Sequence, residues 1–263
     1  MNYKLLLKRM PTELANPVNY FLDAGDDFII VNNLLGKQLK ISFDSYECLS
    51  CGQDLPIFAQ GMCKKCYLES PQTGEWVMKP ELSRAHLGIE DRDLTFEENM
   101  QLQPHIVYLA KTSDIKVGVT RKSQIPYRWI DQGADQALPV METPNRFLAG
   151  QAEVLIKQHI PDKTDWRKML KGISTDKNIL QVKEQIKHLL TDELESYWLD
   201  ETVPVKISYP VLKYPEKIKS VNLNKIPEFE SILTGIKGQY FIFDDGSVFN
   251  VRNHSGYVVN LTF

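Results

Sequence analysis

Four cysteines fall within 19 residues, as Cys48-x2-Cys51 and, after eleven residues, Cys63-x2-Cys66. Each C-x2-C turn can aim two thiolates at one ion, and two such turns complete a tetrahedral shell. The spacing therefore predicts a zinc site, with a redox dithiol pair as the other reading. Four sulfur ligands leave no position open for water, so the expected zinc is structural, and a recognition role for the module stays open beside it. Gly52, directly after Cys51, can take the positive φ that a tight metal-binding turn needs. Cys66 has no such glycine after it, and the short spacer suggests a small zinc ribbon or a pair of knuckles over residues 46–70. Lys64 and Lys65 would offset part of the thiolate charge.

A second set of residues is spread over a longer stretch. Ile106-Val107-Tyr108 and, after nine intervening residues, Gly118 lie in two strand-like runs joined by the turn Thr112-Ser113-Asp114. Arg128 follows Gly118 by ten residues, and Glu153 lies 25 further on, in a helical stretch over Gly150 to His159. An arginine can grip a phosphate with two parallel hydrogen bonds, and a carboxylate can hold a divalent ion through waters. The plainer reading makes Tyr108 a core aromatic, Gly118 a bulge and Arg128 with Glu153 an ion pair.

The order of these residues resembles the GIY-YIG nuclease superfamily: a strand ending in tyrosine, a second ending in glycine, a following arginine and a later helical glutamate. The resemblance implies that Tyr108 activates or positions water, Arg128 clamps phosphate and Glu153 binds one Mg²⁺ or Mn²⁺. It departs from the superfamily at Ile106, where a glycine is usual, and at Lys116, where a tyrosine is usual. Lys116 could contact phosphate but, while protonated, cannot accept a proton. Arg121, Lys122 and Trp129 are the candidate nucleic-acid contacts, with Trp166, Arg167, Lys168 and Lys171 as further basic and stacking groups. The stretches Val107–Ala110, Lys116–Arg121, Arg128–Ala134 and Asp162–Leu170 resemble an uncharacterised bacterial family of unknown function that also carries a cysteine-rich module ahead of this segment. The expected partner is DNA or RNA, with a binding module lacking catalysis and a protein-interaction scaffold as the competing readings.

The elements that must position these groups read as an α+β chain. Short strands are expected over 1–45 and an irregular acidic connection over 71–103. The GIY-YIG-like α/β unit spans 104–171. A long amphipathic helix is expected in 172–200, from the spacing of Ile179, Val182, Ile186, Leu189, Leu190, Leu194 and Tyr197, with Ser174 or Thr175 as its cap. The span 201–263 should hold an antiparallel meander of Tyr240–Phe243, Val248–Val251 and Tyr257–Phe263. The whole chain of 263 residues has a formal net charge of −3, which hides a local contrast. Residues 67–104 carry three basic and eight acidic groups, and residues 105–171 carry eleven and seven. Any phosphate affinity must come from that basic stretch, which the acidic connection could screen. The longest apolar run has five residues, Ile106 to Ala110, so no membrane-spanning helix is expected. With no secretory leader visible, a cytoplasmic location is expected. His105 is a candidate proton shuttle or a packed histidine. There is no GxxxxGK[ST], GxGxxG, HExxH or GxSxG pattern, which removes P-loop, dinucleotide, zinc-protease and serine-hydrolase chemistry.

Overall fold

The computed structural model describes residues 1–160 and 163–263; Pro161 and Asp162 lie outside the described residues. The chain divides into two units. Met1–Leu68, Leu170–Gly172 and Ile207–Phe263 form the first, and Glu69–Met169 with Ile173–Lys206 form the second.

The first unit is built on a seven-stranded sheet in the order Asn2–Leu6, Tyr257–Thr262, Gln38–Tyr46, Glu228–Lys237, Tyr240–Phe243, Ser247–Asn250 and Lys219–Val221. The two ends of the chain pair as adjacent antiparallel strands, Leu5 opposite Val259. Strands from residues 1–45 and 201–263, read from sequence as separate segments, thus share this sheet, while Thr12–Glu13, Asn19–Asp23 and Phe28–Ile30 form a small sheet of their own. The C-terminal meander is corrected as well. Tyr240–Phe243 and Ser247–Asn250 pair antiparallel, but Tyr257–Thr262 crosses to the other side of the sheet and inserts between Asn2–Leu6 and Gln38–Tyr46. The meander's third strand is instead Glu228–Lys237, which precedes it. The cause is the segment between: a 3-10 turn over Arg252–His254 followed by Gly256 at φ +84° redirects the chain. A Cβ at Gly256 would sit 2.7 Å from the Ile57 side chain and 2.9 Å from the Gly61 carbonyl oxygen, so only glycine fits there.

The second unit holds a four-stranded antiparallel sheet in the order Val205–Lys206, Gln136–Thr143, His105–Lys111 and Ile115–Arg121. His105–Lys111 is central, which explains why its whole length reads as apolar. Alternate residues Val107, Leu109, Val117, Leu138 and Val140 present one face to Ala149, Ala152 and Ile156 of the helix Arg146–Ile156 and to Ile179, Val182 and Ile186 of the helix Ile179–Lys187. Each such aliphatic side chain contributes roughly 1.5–3 kcal/mol by leaving water.

Two sequence expectations change here. The long helix is two short ones, Ile179–Lys187 and Asp192–Glu195, because Thr191 starts a new helix by accepting from the Leu194 N–H. Asn178, not Ser174 or Thr175, caps the first, its side chain accepting from the N–H groups of Leu180 and Gln181. The three-and-four spacing survives because Leu189, Leu190 and Tyr197 still pack on the same core from outside the helices. The acidic connection 71–103 is likewise a folded layer of short helices, including Glu75–Met78 and Leu94–Gln101. The carboxylate of Glu97, 1% exposed, accepts from the backbone N–H groups of Asp91, Arg92 and Asp93. One of the eight acidic groups is therefore spent on the loop's own backbone. No helix among the described residues is long and apolar enough to cross a membrane.

Candidate metal site and candidate active site

The cysteine module runs knuckle, hairpin, helix. Cys48–Gly52 closes through the Gly52 N–H donating to the Cys48 carbonyl at 2.8 Å, and Gly52 has φ +68°, as its position in the sequence suggested. The strands Ile57–Ala59 and Met62–Cys63 follow, joined by Gln60 and Gly61 at φ 52° and 77°, the mirror-image turn that suits a right-twisted hairpin. The second cysteine pair departs from the ribbon expectation. Cys63 ends the hairpin and Cys66 lies inside the helix Lys64–Glu69, so no turn glycine is needed after Cys66.

The four Sγ atoms lie within 4.8 Å of one another. A tetrahedral zinc with bonds of about 2.3 Å places its sulfurs roughly 3.8 Å apart, so the cluster needs to contract by about 1 Å or less. The electrostatics suit a cation. Burial of Cys48 opposes its ionisation, yet the amide N–H groups of Cys63, Cys51 and Ser50 hold its thiol down to about 6. The Cys63 N–H reaches Cys48 Sγ at 3.2 Å. Cys66, despite a hydrogen bond with Ser50, is pushed up to about 12 by the neighbouring sulfurs, Cys63 foremost, and by burial. Sulfurs this close do not all ionise unless a positive ion takes up the charge.

The second site is assembled by strand register. Tyr108 pairs directly with Gly118, and both lie on the sheet face opposite Val107 and Val117. The Tyr108 ring lies across the glycine: a Cβ at Gly118 would be 2.6 Å from the phenol oxygen and 2.7 Å from the ring carbon that bears it. The glycine of the second strand is thus the seat of the tyrosine of the first.

Tyr108 is 3% exposed. Its hydroxyl receives a hydrogen bond from Gln132 Nε2 at 3.2 Å and another from Arg128. Burial raises its pKa, against the pull of the Arg128 charge and the Gln132 bond, and the negative charge of Glu153 raises it further. The phenol is neutral at physiological pH. Arg128 and Gln132 come from the turn of helix at Tyr127–Asp131 and the residue after it. Glu153 comes from the helix Arg146–Ile156, which Asn145 caps by accepting from the Leu148 N–H. That helix is seated by Gly150, where a Cβ would collide with the backbone of Pro80 and Glu81 at 2.3–2.8 Å.

Sequence reasoning missed two members. Gln132 follows Arg128 by four residues, and Arg146 precedes Glu153 by seven, two helical turns, so both spacings carried a same-face signal. Arg146 is half-buried, donating from Nε to the Trp76 carbonyl at 3.0 Å and from Nη2 to the Val77 carbonyl at 2.7 Å. Burial lowers its pKa to about 10; the Glu153 charge opposes this, and the positive charges of Arg128 and Arg121 add to it. Glu153, Arg128 and Arg121 therefore all lie within electrostatic reach of Arg146.

The remaining candidates lie as follows. Lys116 pairs with Ala110, two residues from Gly118 and on the same face. Arg121 is half-buried with Nη1 3.0 Å from the Met100 sulfur, and Lys122 is exposed and bonded to Glu142 at 2.9 Å. Trp129 requires a correction: it is 3% exposed, edge-on to Tyr108 at 6.1 Å, and presents no open face on which a base could stack. Arg167 covers the Trp166 ring at 4.3 Å. His105 is wholly buried, its Nδ1 bonded to the Gln103 carbonyl at 2.7 Å, so it is packed rather than poised to shuttle protons.

A family model described as "Protein of unknown function (DUF2797)" matches residues 36–259. The chain belongs to this family. No curated protein and no solved structure matches it. The DUF2797 match begins just before the strand Gln38–Tyr46 and ends within Tyr257–Thr262, so the cysteine cluster and the Tyr108 site both fall inside the span that defines the family.

Proposed function

We propose that this DUF2797 chain is a nucleic-acid-directed phosphodiesterase of GIY-YIG-like design, with a structural zinc ion in the four-cysteine module. The observation that carries this reading is the approach of Arg128 and Glu153 to Tyr108, drawn from the helices Tyr127–Asp131 and Arg146–Ile156 and from the strand His105–Lys111, where Gly118 seats the tyrosine ring. The order of the elements supports it: tyrosine strand, glycine strand, arginine helix, a third strand beside the first, then the glutamate helix.

In this reading Arg128 holds a non-bridging phosphate oxygen. The neutral Tyr108 hydroxyl, fixed by Gln132, orients the attacking water. Glu153 is the carboxylate that would hold Mg²⁺ or Mn²⁺, which supplies charge neutralisation at the phosphate when bound. The gathering of Arg146, Arg128 and Arg121 makes an anionic substrate the natural first occupant.

The test is incubation of the zinc-loaded protein with plasmid DNA and with structured RNA in Mg²⁺ or Mn²⁺. Cleavage should fall by about 10² or more in Glu153→Gln and in Arg128→Ala, the usual scale for losing an electrostatic group at the reacting centre. Cleavage undiminished in Glu153→Gln overturns the assignment. The burial of the Tyr108 hydroxyl favours one second reading, a phosphate-binding module without hydrolysis; salt-dependent binding with no cleavage would select it. Zinc content near one equivalent is expected, and less than about half would count against the four-thiolate site.

A further inference from the structure

Apart from the Tyr108 site, the folded layer of residues 75–101 lines, together with Phe147, an open cleft of about 510 Å³, within the size range of small-molecule sites. Its lining is rich in carboxylates: Glu75, Glu81, Asp91 and Glu97 stand against the Arg84 guanidinium, with Glu97 taken up by backbone N–H groups and Glu81 also within the electrostatic reach of Lys157 and Arg146. One wall is aromatic, with the His86 ring stacked on Phe147 at 4.4 Å and 24°, and the exposed side chains of Leu87 and Ile89 add apolar surface.

The wall also contains polar groups that the fold leaves unsatisfied. Ser83 is 1% exposed and its Oγ has no hydrogen-bond partner; the same holds for Nε1 of the buried Trp76 and for Oε2 of Glu81. The other Glu81 oxygen is only loosely engaged, 3.7 Å from Lys157 Nζ. A buried oxygen or N–H without a partner costs about 1–3 kcal/mol; all three atoms are closed to solvent, so an occupant reaches them only when the wall side chains turn toward it.

We infer that this cleft is a binding site for a small organic cation, an ammonium or amidinium group on a flat apolar body. The cationic end would satisfy the Glu81 carboxylate, and the body would lie against the His86 and Phe147 wall. The carboxylates of the lining disfavour phosphate-bearing ligands. The inference uses none of the catalytic assignments above.

Benzamidine and benzoate share a ring and a shape and differ in the sign of charge, so they form a direct test on the full-length, zinc-loaded protein. The readout is the Trp76 indole N–H signal in ¹⁵N-labelled protein, identified by its loss in Trp76→Phe. Benzamidine should shift it saturably in the millimolar range and benzoate should not. Glu81→Gln should weaken benzamidine about tenfold, as expected for loss of one charge-assisted hydrogen bond. Equal shifts with both probes, no saturable shift with benzamidine, or unchanged affinity in Glu81→Gln each overturn the inference. Should Glu81→Gln fail to fold, the two probes on the unmodified protein decide alone, with Asp91→Asn repeating the charge test at an exposed position.

Discussion

The cysteine cluster and the Tyr108 site differ in how far apart in sequence their members lie, and that difference governs what each requires of the fold. The four thiols sit within 19 residues and converge through one knuckle, one hairpin turn and one turn of helix. Tyr108 and Glu153 are 45 residues apart. They approach each other only because strand register sets Tyr108 over Gly118 and because Gly150 lets the glutamate helix close on the Pro80 backbone. A local site can be held together by its ligand, whereas a distributed site inherits the stability of the sheet and helix that carry it.

The largest effect should come from withholding the zinc proposed for the four cysteines. Structural zinc binding by small thiolate modules is worth roughly 10–16 kcal/mol and is inseparable from their folding. Among the described residues the module's own buried cluster is small: Cys48, Met62 and Cys63, with Ile57, Cys66 and Tyr67 against it. Chelation, or Cys63→Ser, should collapse the amide signal dispersion of residues 48–68. The signals of the Tyr108 sheet should persist. Loss of both sets together would show that the distributed site depends on the local one.

Gly118→Ala attacks the distributed site at its register. The added methyl would meet the Tyr108 ring at 2.6–2.7 Å and must displace it, costing up to about 3 kcal/mol in a packed strand pair. Thermal unfolding measures that cost. If the tyrosine is the water-orienting group, cleavage should fall well beyond what the stability loss explains, since the phenol would leave Gln132 and Arg128.

Acid should separate the two sites by a different route. Burial is the main force lowering the His105 pKa to about 4, with Arg146 and Arg121 adding to it against the Gln103 hydrogen bond. The folded protein thus holds a neutral imidazole whose ordinary pKa is near 6.5. This stabilisation is complete above pH 6.5 and is lost as pH falls toward 4. Between pH 7 and 5 the loss amounts to about 2 kcal/mol. His105→Phe should flatten that part of the stability profile, leaving a smaller slope from His254, whose pKa burial also lowers. An unchanged profile in His105→Phe would refute the assignment.

The local site was the more legible one for the same reason that it is local. Cysteine spacing and Gly52 announce a metal turn, while Lys64–Glu69 is too short to show a helical period, so the helix carrying Cys66 stayed hidden. In the distributed site, residue order gave Tyr108, Arg128 and Glu153, but side-chain direction did not follow from order. Trp129 turns into the core beside Tyr108, and Arg146 turns toward Glu153, because the helices that carry them dock by particular faces. The apolar spacing over 179–197 reported a shared core correctly and missed the break, since packing constrains which residues are buried more strongly than whether the backbone between them stays helical.

The smallest expected effect concerns Lys122, and it separates binding from folding. Its ion pair with Glu142 joins two side chains that are 60% and 33% exposed, so solvent screens most of the attraction. Such pairs contribute under about 1 kcal/mol, and Lys122→Ala should leave thermal unfolding almost unchanged. A lysine that touches a nucleic-acid backbone has a second signature. Removing it weakens binding to all sequences alike and lowers the salt dependence of log K by roughly one counterion. Fluorescence anisotropy with a labelled duplex at several salt concentrations measures that slope. A slope reduced by about one, with unfolding unchanged, places Lys122 on the nucleic-acid path to the Tyr108 site. An unchanged slope leaves it as a partner of Glu142 alone and moves the electrostatic contact to the guanidinium groups of Arg146, Arg128 and Arg121.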